Sequence, residues 1–185
     1  MILAACNNTD KKPEPVKPAT ASRHSEAFNK GFRDLLASYY SLSESFVNWD
    51  SVSVNTEAGV LLAGLDSLRI QDLDEAIHQK VALTRNQIRN DLNALQLEKN
   101  ITQKRRAFNS LTNNLFELLK QAEYDEKKIY LQRCPMAFND TEPGDWLSEA
   151  DTIRNPYLGL HHPTYGSAML NCGDNRSSID FTQTK

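Results

Sequence analysis

The middle of the chain, from about residue 25 to residue 123, contains no proline and has the hydrophobic spacing of four amphipathic helices. In its first segment an apolar residue recurs every three or four positions, at Phe28, Phe32, Leu35, Tyr39, Leu42 and Phe46. Such spacing places all six side chains on one face of a helix. Three later segments repeat the pattern, at about residues 58–68, 73–95 and 108–122. Four apolar stripes joined by short connections predict an antiparallel four-helix bundle.

The pattern changes after Glu123. Four of the seven glycines and four of the seven prolines lie between residues 125 and 175, which favours loops and short elements over another long helix. The predicted fold class is therefore all-α: an antiparallel four-helix bundle with a loop-rich C-terminal extension. We expect the bundle over residues 23–124, a motif-bearing segment packed on it over residues 125–175, and a tail over residues 176–185.

The first residues resemble the end of a bacterial lipoprotein signal. Small residues precede Cys6 in the string Leu3-Ala4-Ala5-Cys6, so we interpret residues 1–6 as the remnant of such a signal, with Cys6 as the lipidated residue. The alternative is an incidental cysteine. Residues 7–22 are polar and proline-rich, which predicts a flexible linker. Together they predict a periplasmic or cell-envelope protein that is lipid-anchored to a bacterial membrane.

Composition narrows the class of protein. The 185 residues are 39% hydrophobic with a formal net charge of -3, which argues against a disordered chain and against a basic nucleic-acid-binding protein. Nucleic acid is therefore not an expected partner. The chain has no phosphate-binding or dinucleotide-binding glycine motif, and it has no nucleophile-elbow or zinc-protease motif. We therefore predict a protein that is not an enzyme.

The candidate chemistry lies in the C-terminal segment, where sulfur residues occur in two pairs. Cys134 and Met136 form one pair, and Met169 and Cys172 form the other. Thiolate and thioether ligands favour Cu(I) or Ag(I) over hard cations, so copper or silver is the predicted metal. Two histidines between the pairs, His161 and His162, are candidate imidazole ligands.

A disulfide is the alternative use of Cys134 and Cys172. Two cysteines outside the cytoplasm commonly pair, and closing a loop of about 38 residues would stabilise the fold by roughly 4 kcal/mol. The protein would then be a structural or interaction lipoprotein, with its C-terminal segment pinned to the bundle. Residue spacing alone leaves both possibilities open.

Four short motifs in this segment resemble domain-of-unknown-function family 3347. They are Cys134-Pro135-Met136-Ala137, Gly144-x-Trp146-Leu147-Ser148, Ile153-x-Asn155-Pro156-Tyr157-x-Gly159 and Met169-Leu170-x-Cys172-Gly173. The resemblance spans roughly residues 25–173, and residues 160–166 lengthen the connection between the last two motifs.

The resemblance implies a role in handling heavy metals, chiefly copper, in the cell envelope. Members of this family occur as small lipoproteins, and others are fused to adaptor subunits of Cus-type copper and silver efflux pumps. A heavy-metal efflux adaptor or a metallochaperone is therefore an expected partner, and the motif sulfurs are Cys134, Met136, Met169 and Cys172.

Overall fold

The computed structural model describes residues 22–183, in which four helices precede a three-stranded antiparallel sheet. The elements are α1 (Glu26–Val47), α2 (Ser51–Ser67), α3 (Glu75–Leu97), α4 (Ile101–Gln121), β1 (Ile129–Phe138), β2 (Glu142–Ser148) and β3 (Asp174–Ile179). None of the helices in this part of the chain is long and apolar enough to cross a bilayer. Cys6, the predicted lipidation site, and linker residues 7–21 lie outside the described residues.

The four predicted helices are present, and side-chain caps define where three of them begin. The Ser25 hydroxyl accepts a hydrogen bond from a backbone N–H in the first turn of α1, and Asp50 and Asn100 do the same for α2 and α4. The third helix begins after Asp74, whose side chain makes no capping hydrogen bond. All six residues of the first apolar stripe are at most 1% exposed, so this face of α1 forms part of the core.

The predicted all-α class is wrong, because the C-terminal segment folds into a sheet rather than loops. The strand order is β2-β1-β3, so β1 is the central strand. Pro135 argues against a central strand, but β1 accommodates it at an irregularity. The β1–β2 register passes from Cys134 opposite Gly144 to Phe138 opposite Glu142, which leaves two extra residues on β1. Pro135 lies in this bulge, where the missing N–H removes no regular ladder bond.

The third strand has no hydrophobic pattern that could have predicted it. Residues 174–178 are exposed, and only Ile179 at the end of β3 is buried. Backbone pairing with β1 from Ile129 to Arg133 holds the strand in place. Most of β3 lies within residues 176–185, where the sequence predicted a tail.

A buried tyrosine hydroxyl joins the sheet to the bundle. Tyr39 in α1 accepts a hydrogen bond from the backbone N–H of Leu147 in β2 at 3.0 Å, and its oxygen lies 2.8 Å from the Thr112 hydroxyl in α4. Its ring stacks on Phe108 with centroids 5.3 Å apart. Burial raises the pKa of Tyr39 well above its ordinary value, so the hydroxyl stays protonated. One hydrophobic core therefore extends from α1 to the sheet.

A buried arginine joins α4 to both α1 and the C-terminal segment. Arg105 is 2% exposed and donates hydrogen bonds to the carbonyl oxygens of Phe46 and Pro156, at 3.1 and 3.2 Å. Its guanidinium carbon lies 3.9 Å from the ring centroid of Trp49. Burial lowers the pKa of Arg105 to about 9. The Phe46 carbonyl at the C-terminal end of α1, the Pro156 carbonyl and the indole face provide favourable electrostatic contacts for this cation.

Replacing Tyr39 by phenylalanine tests the junction between sheet and bundle. We expect Tyr39→Phe to lower the free energy of unfolding by about 1–3 kcal/mol, because the Leu147 N–H would lose its acceptor in a buried position. Urea denaturation followed by circular dichroism measures the change. Tyr130→Phe, at a partly exposed position, is the matched control. Equal stability of the two variants would contradict the role of the Tyr39 hydroxyl.

Candidate functional site

The sheet brings Cys134 and Cys172 together. Arg133 in β1 pairs with Asp174 at the start of β3. Because Cys134 follows Arg133 and Cys172 lies two residues before Asp174, this pairing brings Cys134 beside the segment that contains Cys172. Both side chains are free thiols, Cys134 fully buried and Cys172 partly exposed. Cys172 raises the pKa of Cys134, so the two thiols are neighbours.

A glycine lets the segment that contains Cys172 approach β1 closely. Gly173 has a φ of 140°, which side-chain-bearing residues rarely adopt. A Cβ atom there would lie 2.6 Å from the carbonyl oxygen of Arg133 and 2.9 Å from the Trp146 ring. Any larger residue would therefore push the Cys172 segment away from the strand that holds Cys134.

Asn155 fixes the position of the thiol pair with both ends of its side chain. Its amide nitrogen donates to the Cys172 carbonyl at 2.8 Å, while its Oδ1 accepts from the backbone N–H groups of Tyr157 and Leu158 at 2.8 and 3.1 Å. The same side chain lies close enough to the Cys134 thiol to lower its pKa. Because Asn155 is fully buried, these bonds form without competition from solvent.

The environment of Cys134 keeps its thiol protonated at neutral pH. Burial, with a smaller contribution from the neighbouring Cys172, raises the pKa of Cys134 to about 11. Hydrogen bonds with the Met136 backbone and the Asn155 side chain act in the opposite direction but are outweighed. The resting pair therefore includes one buried, neutral thiol, and any ligand that requires a thiolate there must displace a proton.

The two methionines lie on the same two segments as the cysteines. Met136 follows Cys134 within the β1 bulge, and Met169 precedes Cys172 in a turn closed by a 3.0 Å hydrogen bond from the Cys172 N–H to the Met169 carbonyl. Both side chains are partly buried against the core. Each segment thus carries one thiol and one thioether.

The two histidines occupy different surroundings from the thiols. His162 accepts hydrogen bonds at Nδ1 from the backbone N–H groups of Thr164 and Tyr165, and its ring stacks on Tyr165 with centroids 4.8 Å apart. Burial and the charge of Arg105 lower the pKa of His162. His161 is exposed. Across residues 22–183, no three His, Cys, Asp or Glu side chains form a group that could hold a metal, so neither histidine joins both cysteines.

The residues that position the two thiols and the strands around them could not be identified from the sequence. Asn155 and Gly173 stood in the quoted motifs without an assigned role. Asp145 fills the unspecified position of the second motif, and its buried carboxylate bridges Arg133 in β1 and Arg176 in β3 at 2.7 and 2.9 Å. The turn signal of an asparagine followed by Pro156 could have pointed to Asn155. The role of Asp145 depends on strand pairing and had no local signal.

These features define a helical-bundle protein with an appended antiparallel sheet and a dithiol where the sheet meets the preceding loop. The chain belongs to the family described as "Protein of unknown function (DUF3347)", whose model matches residues 35–127, and the predicted family is thereby confirmed. The matched residues cover the helices from within α1 and end before β1, so the thiol pair lies outside them. Neither the curated proteins nor the solved structures contained a match to the chain.

Alkylation of the thiols tests their difference in burial. In a Cys6→Ser background at pH 8, we expect iodoacetamide to label Cys172 at least about tenfold faster than Cys134, because the buried thiol is protonated. The pKa of Cys134 is raised, so its thiolate fraction and labelling rate should climb as the pH rises toward 11. Peptide mass spectrometry measures both rates, and urea-unfolded protein is the control. Equal native rates at pH 8 would contradict the described burial.

Replacing Asn155 tests how the thiol pair is positioned. We expect Asn155→Ala to lower the free energy of unfolding by about 2–4 kcal/mol, because buried donors and acceptors lose their partner. It should also speed labelling of Cys134. Asn171→Ala, an exposed position in the same region, should change the stability by less than about 0.5 kcal/mol. Urea denaturation and peptide mapping check both effects, and a stable, slowly labelled Asn155→Ala protein would refute this role.

Proposed function

We propose that the protein binds Cu(I) or Ag(I) through Cys134 and Cys172, with Met136 and Met169 as thioether ligands, and that it performs no catalysis. The observation that carries the proposal is that the pairing of β1 with β3 makes the two free thiols neighbours. Two adjacent thiols and two nearby thioethers make a soft donor set, which hard cations such as Mg²⁺ and Ca²⁺ bind poorly. The metal would be a cargo that the protein takes up and releases.

Because Cys134 is buried and protonated, metal binding at this site should depend on pH. Binding a monovalent soft cation between two thiolates releases up to two protons, and the positive ion offsets the negative charge that burial disfavours. Since the pKa of Cys134 is raised to about 11, affinity should increase with pH across the whole neutral range. A fall in pH would favour release of the metal.

The proposed cellular setting follows from the sequence rather than from the site. The lipobox-like string ending at Cys6 supports attachment to a bacterial membrane, with the domain in the periplasm or cell envelope. The family resemblance supports an adaptor of a heavy-metal efflux system, or a metallochaperone, as the partner. Transfer between them would proceed by exchange of sulfur ligands, since Cu(I) prefers soft donors at every step.

The proximity of the two thiols also supports a second candidate, a structural lipoprotein with a Cys134–Cys172 disulfide. Burial disfavours a thiolate at Cys134, whereas a disulfide carries no charge and suits an apolar surrounding. Its formation removes two protons and two electrons, which a disulfide-forming oxidoreductase of the cell envelope would accept. The bond would then pin the segment before β3 to β1.

Titration of the reduced protein with Cu(I), against a chromophoric chelator, distinguishes the two candidates. In a Cys6→Ser background, we expect Cys134→Ser or Cys172→Ser to weaken binding by at least about 100-fold, and Met136→Leu or Met169→Leu by about tenfold. Affinity should rise with pH between 6 and 8. His161→Ala is the matched control and should bind as tightly as the parent protein.

The result that contradicts metal binding is equally specific. Unchanged Cu(I) affinity in the two cysteine variants would refute the proposed ligands. Protein isolated without reductant that is about 2 Da lighter than the reduced form, and that takes up no Cu(I) after reduction, would support the disulfide instead.

A further inference from the structure

The two thiols of the proposed metal site differ in how they can be reached from solvent. Cys134 is 0% exposed and belongs to the hydrophobic core, whereas Cys172 is partly exposed. A metal ion that arrives from solvent therefore meets the two thiols under unequal conditions.

The side chain of Cys134 lies on the face of the sheet that packs against the helices. Cys134 is opposite Gly144 in the pairing of β1 with β2, and residues directly opposite each other point to the same face. A Cβ atom at Gly144 would lie 2.7 Å from the ring of Tyr157, so that buried ring covers this part of the face. The Tyr157 ring in turn packs near Phe108 of α4, with centroids 6.1 Å apart. Cys134 is thus the inner end of the thiol pair.

The segment that contains Cys172 forms the outer end. Cys172 and Met169 are partly exposed, and Asn171 between them is exposed. Met136, on the β1 side, is partly exposed as well. Three of the four proposed sulfur ligands therefore belong to residues that solvent reaches, and the fourth belongs to a residue that it does not reach.

This outer segment is fastened to the loop after β2, so it does not simply swing aside to uncover Cys134. The backbone N–H of Asn155 donates to the Leu170 carbonyl at 2.8 Å, and the Asn155 side chain donates to the Cys172 carbonyl at 2.8 Å. Separating the segment from Asn155 would break both hydrogen bonds, and Asn155 is fully buried. Opening of the segment is therefore a costly way for a metal ion to reach Cys134.

Building on the proposed function, we infer that Cys172 is the thiol at which Cu(I) or Ag(I) enters and leaves, and that Cys134 closes the site in a second step. Cys172 loses its proton to water, and its sulfur bonds the metal while a ligand of the donor is still attached. Cys134 then loses its proton to water, its sulfur bonds the metal, and the bond to the donor breaks. The metal stays monovalent throughout, so no oxidant or reductant takes part.

Stopped-flow transfer of Cu(I) from its coloured bicinchoninate complex tests this order. The reduced protein, in a Cys6→Ser background, is mixed in excess with the complex, and the loss of colour gives the rate constant for uptake. We expect this rate constant to fall at least about tenfold more in Cys172→Ala than in Cys134→Ala, because metal that must reach Cys134 first has to wait for the segment to open. Asn171→Ala, next to Cys172, is the matched control and should take up Cu(I) at the parent rate.

A second measurement on the loaded parent protein needs no cysteine variant, and it tests the order even where Cys134→Ala does not fold by circular dichroism. Release of Cu(I) to bathocuproine disulfonate should become faster as the chelator concentration rises, because the chelator can bond the metal from the side of Cys172. A release rate that does not depend on the chelator would mean that the site opens before the metal leaves.

The outcomes separate this inference from the proposed function. Equal slowing in the two cysteine variants, greater slowing in Cys134→Ala, or chelator-independent release would overturn the order of binding while the parent protein still binds Cu(I). Failure of the reduced parent protein to bind Cu(I) at equilibrium would overturn the proposed function, and the order of binding with it.

Discussion

The buried side chain of Asn155 is the constraint on which the C-terminal half of the molecule depends. Its carbonyl end caps the turn that follows it, and its amino end holds the Cys172 carbonyl. Each buried backbone group left without a partner costs about 1–3 kcal/mol, so no apolar residue of similar size can replace it. The positions of Cys172, Gly173 and the start of β3 all follow from this contact.

A second set of polar contacts keeps the sheet and the bundle in one body. Tyr39 holds the β2 backbone from the side of the helices, and Arg105 holds the loop after Asn155. Both side chains are buried and make directional hydrogen bonds, whereas the apolar residues around them pack without fixing a register. Polar groups in the core therefore specify the arrangement that the hydrophobic contacts stabilise.

The helices could be predicted from the sequence and the sheet could not, for a physical reason that particular residues show. The stripe from Phe28 to Phe46 is a local pattern, since each turn of a helix is bonded only to its neighbours in sequence. β3 pairs with a strand more than 40 residues earlier in the chain, and its own residues are polar. Pro135 is one of the four prolines that favoured loops in this segment, and its place in a central strand depends on the observed bulge.

The candidate site, too, could be predicted from the sequence only in part. The sulfur residues could be singled out by chemistry and spacing, but Cys134 and Cys172 become neighbours through the unpredicted pairing of β1 with β3. His161 and His162 lie between the sulfur pairs in sequence, yet His162 is engaged by Tyr165 and the backbone of its own loop. Closeness along the chain was a poor guide to closeness in space.

The strand order also has a consequence for how the molecule is assembled. β1 and β2 form a hairpin across three residues, whereas β3 reaches β1 only after the long segment between Ser148 and Asp174 has closed. Closure of the longer loop costs more entropy, so we expect the hairpin to form first and β3 to dock last. The two thiols meet only at that final step. The dithiol is thus a product of completed folding, and whatever binds it stabilises the native chain over every earlier intermediate.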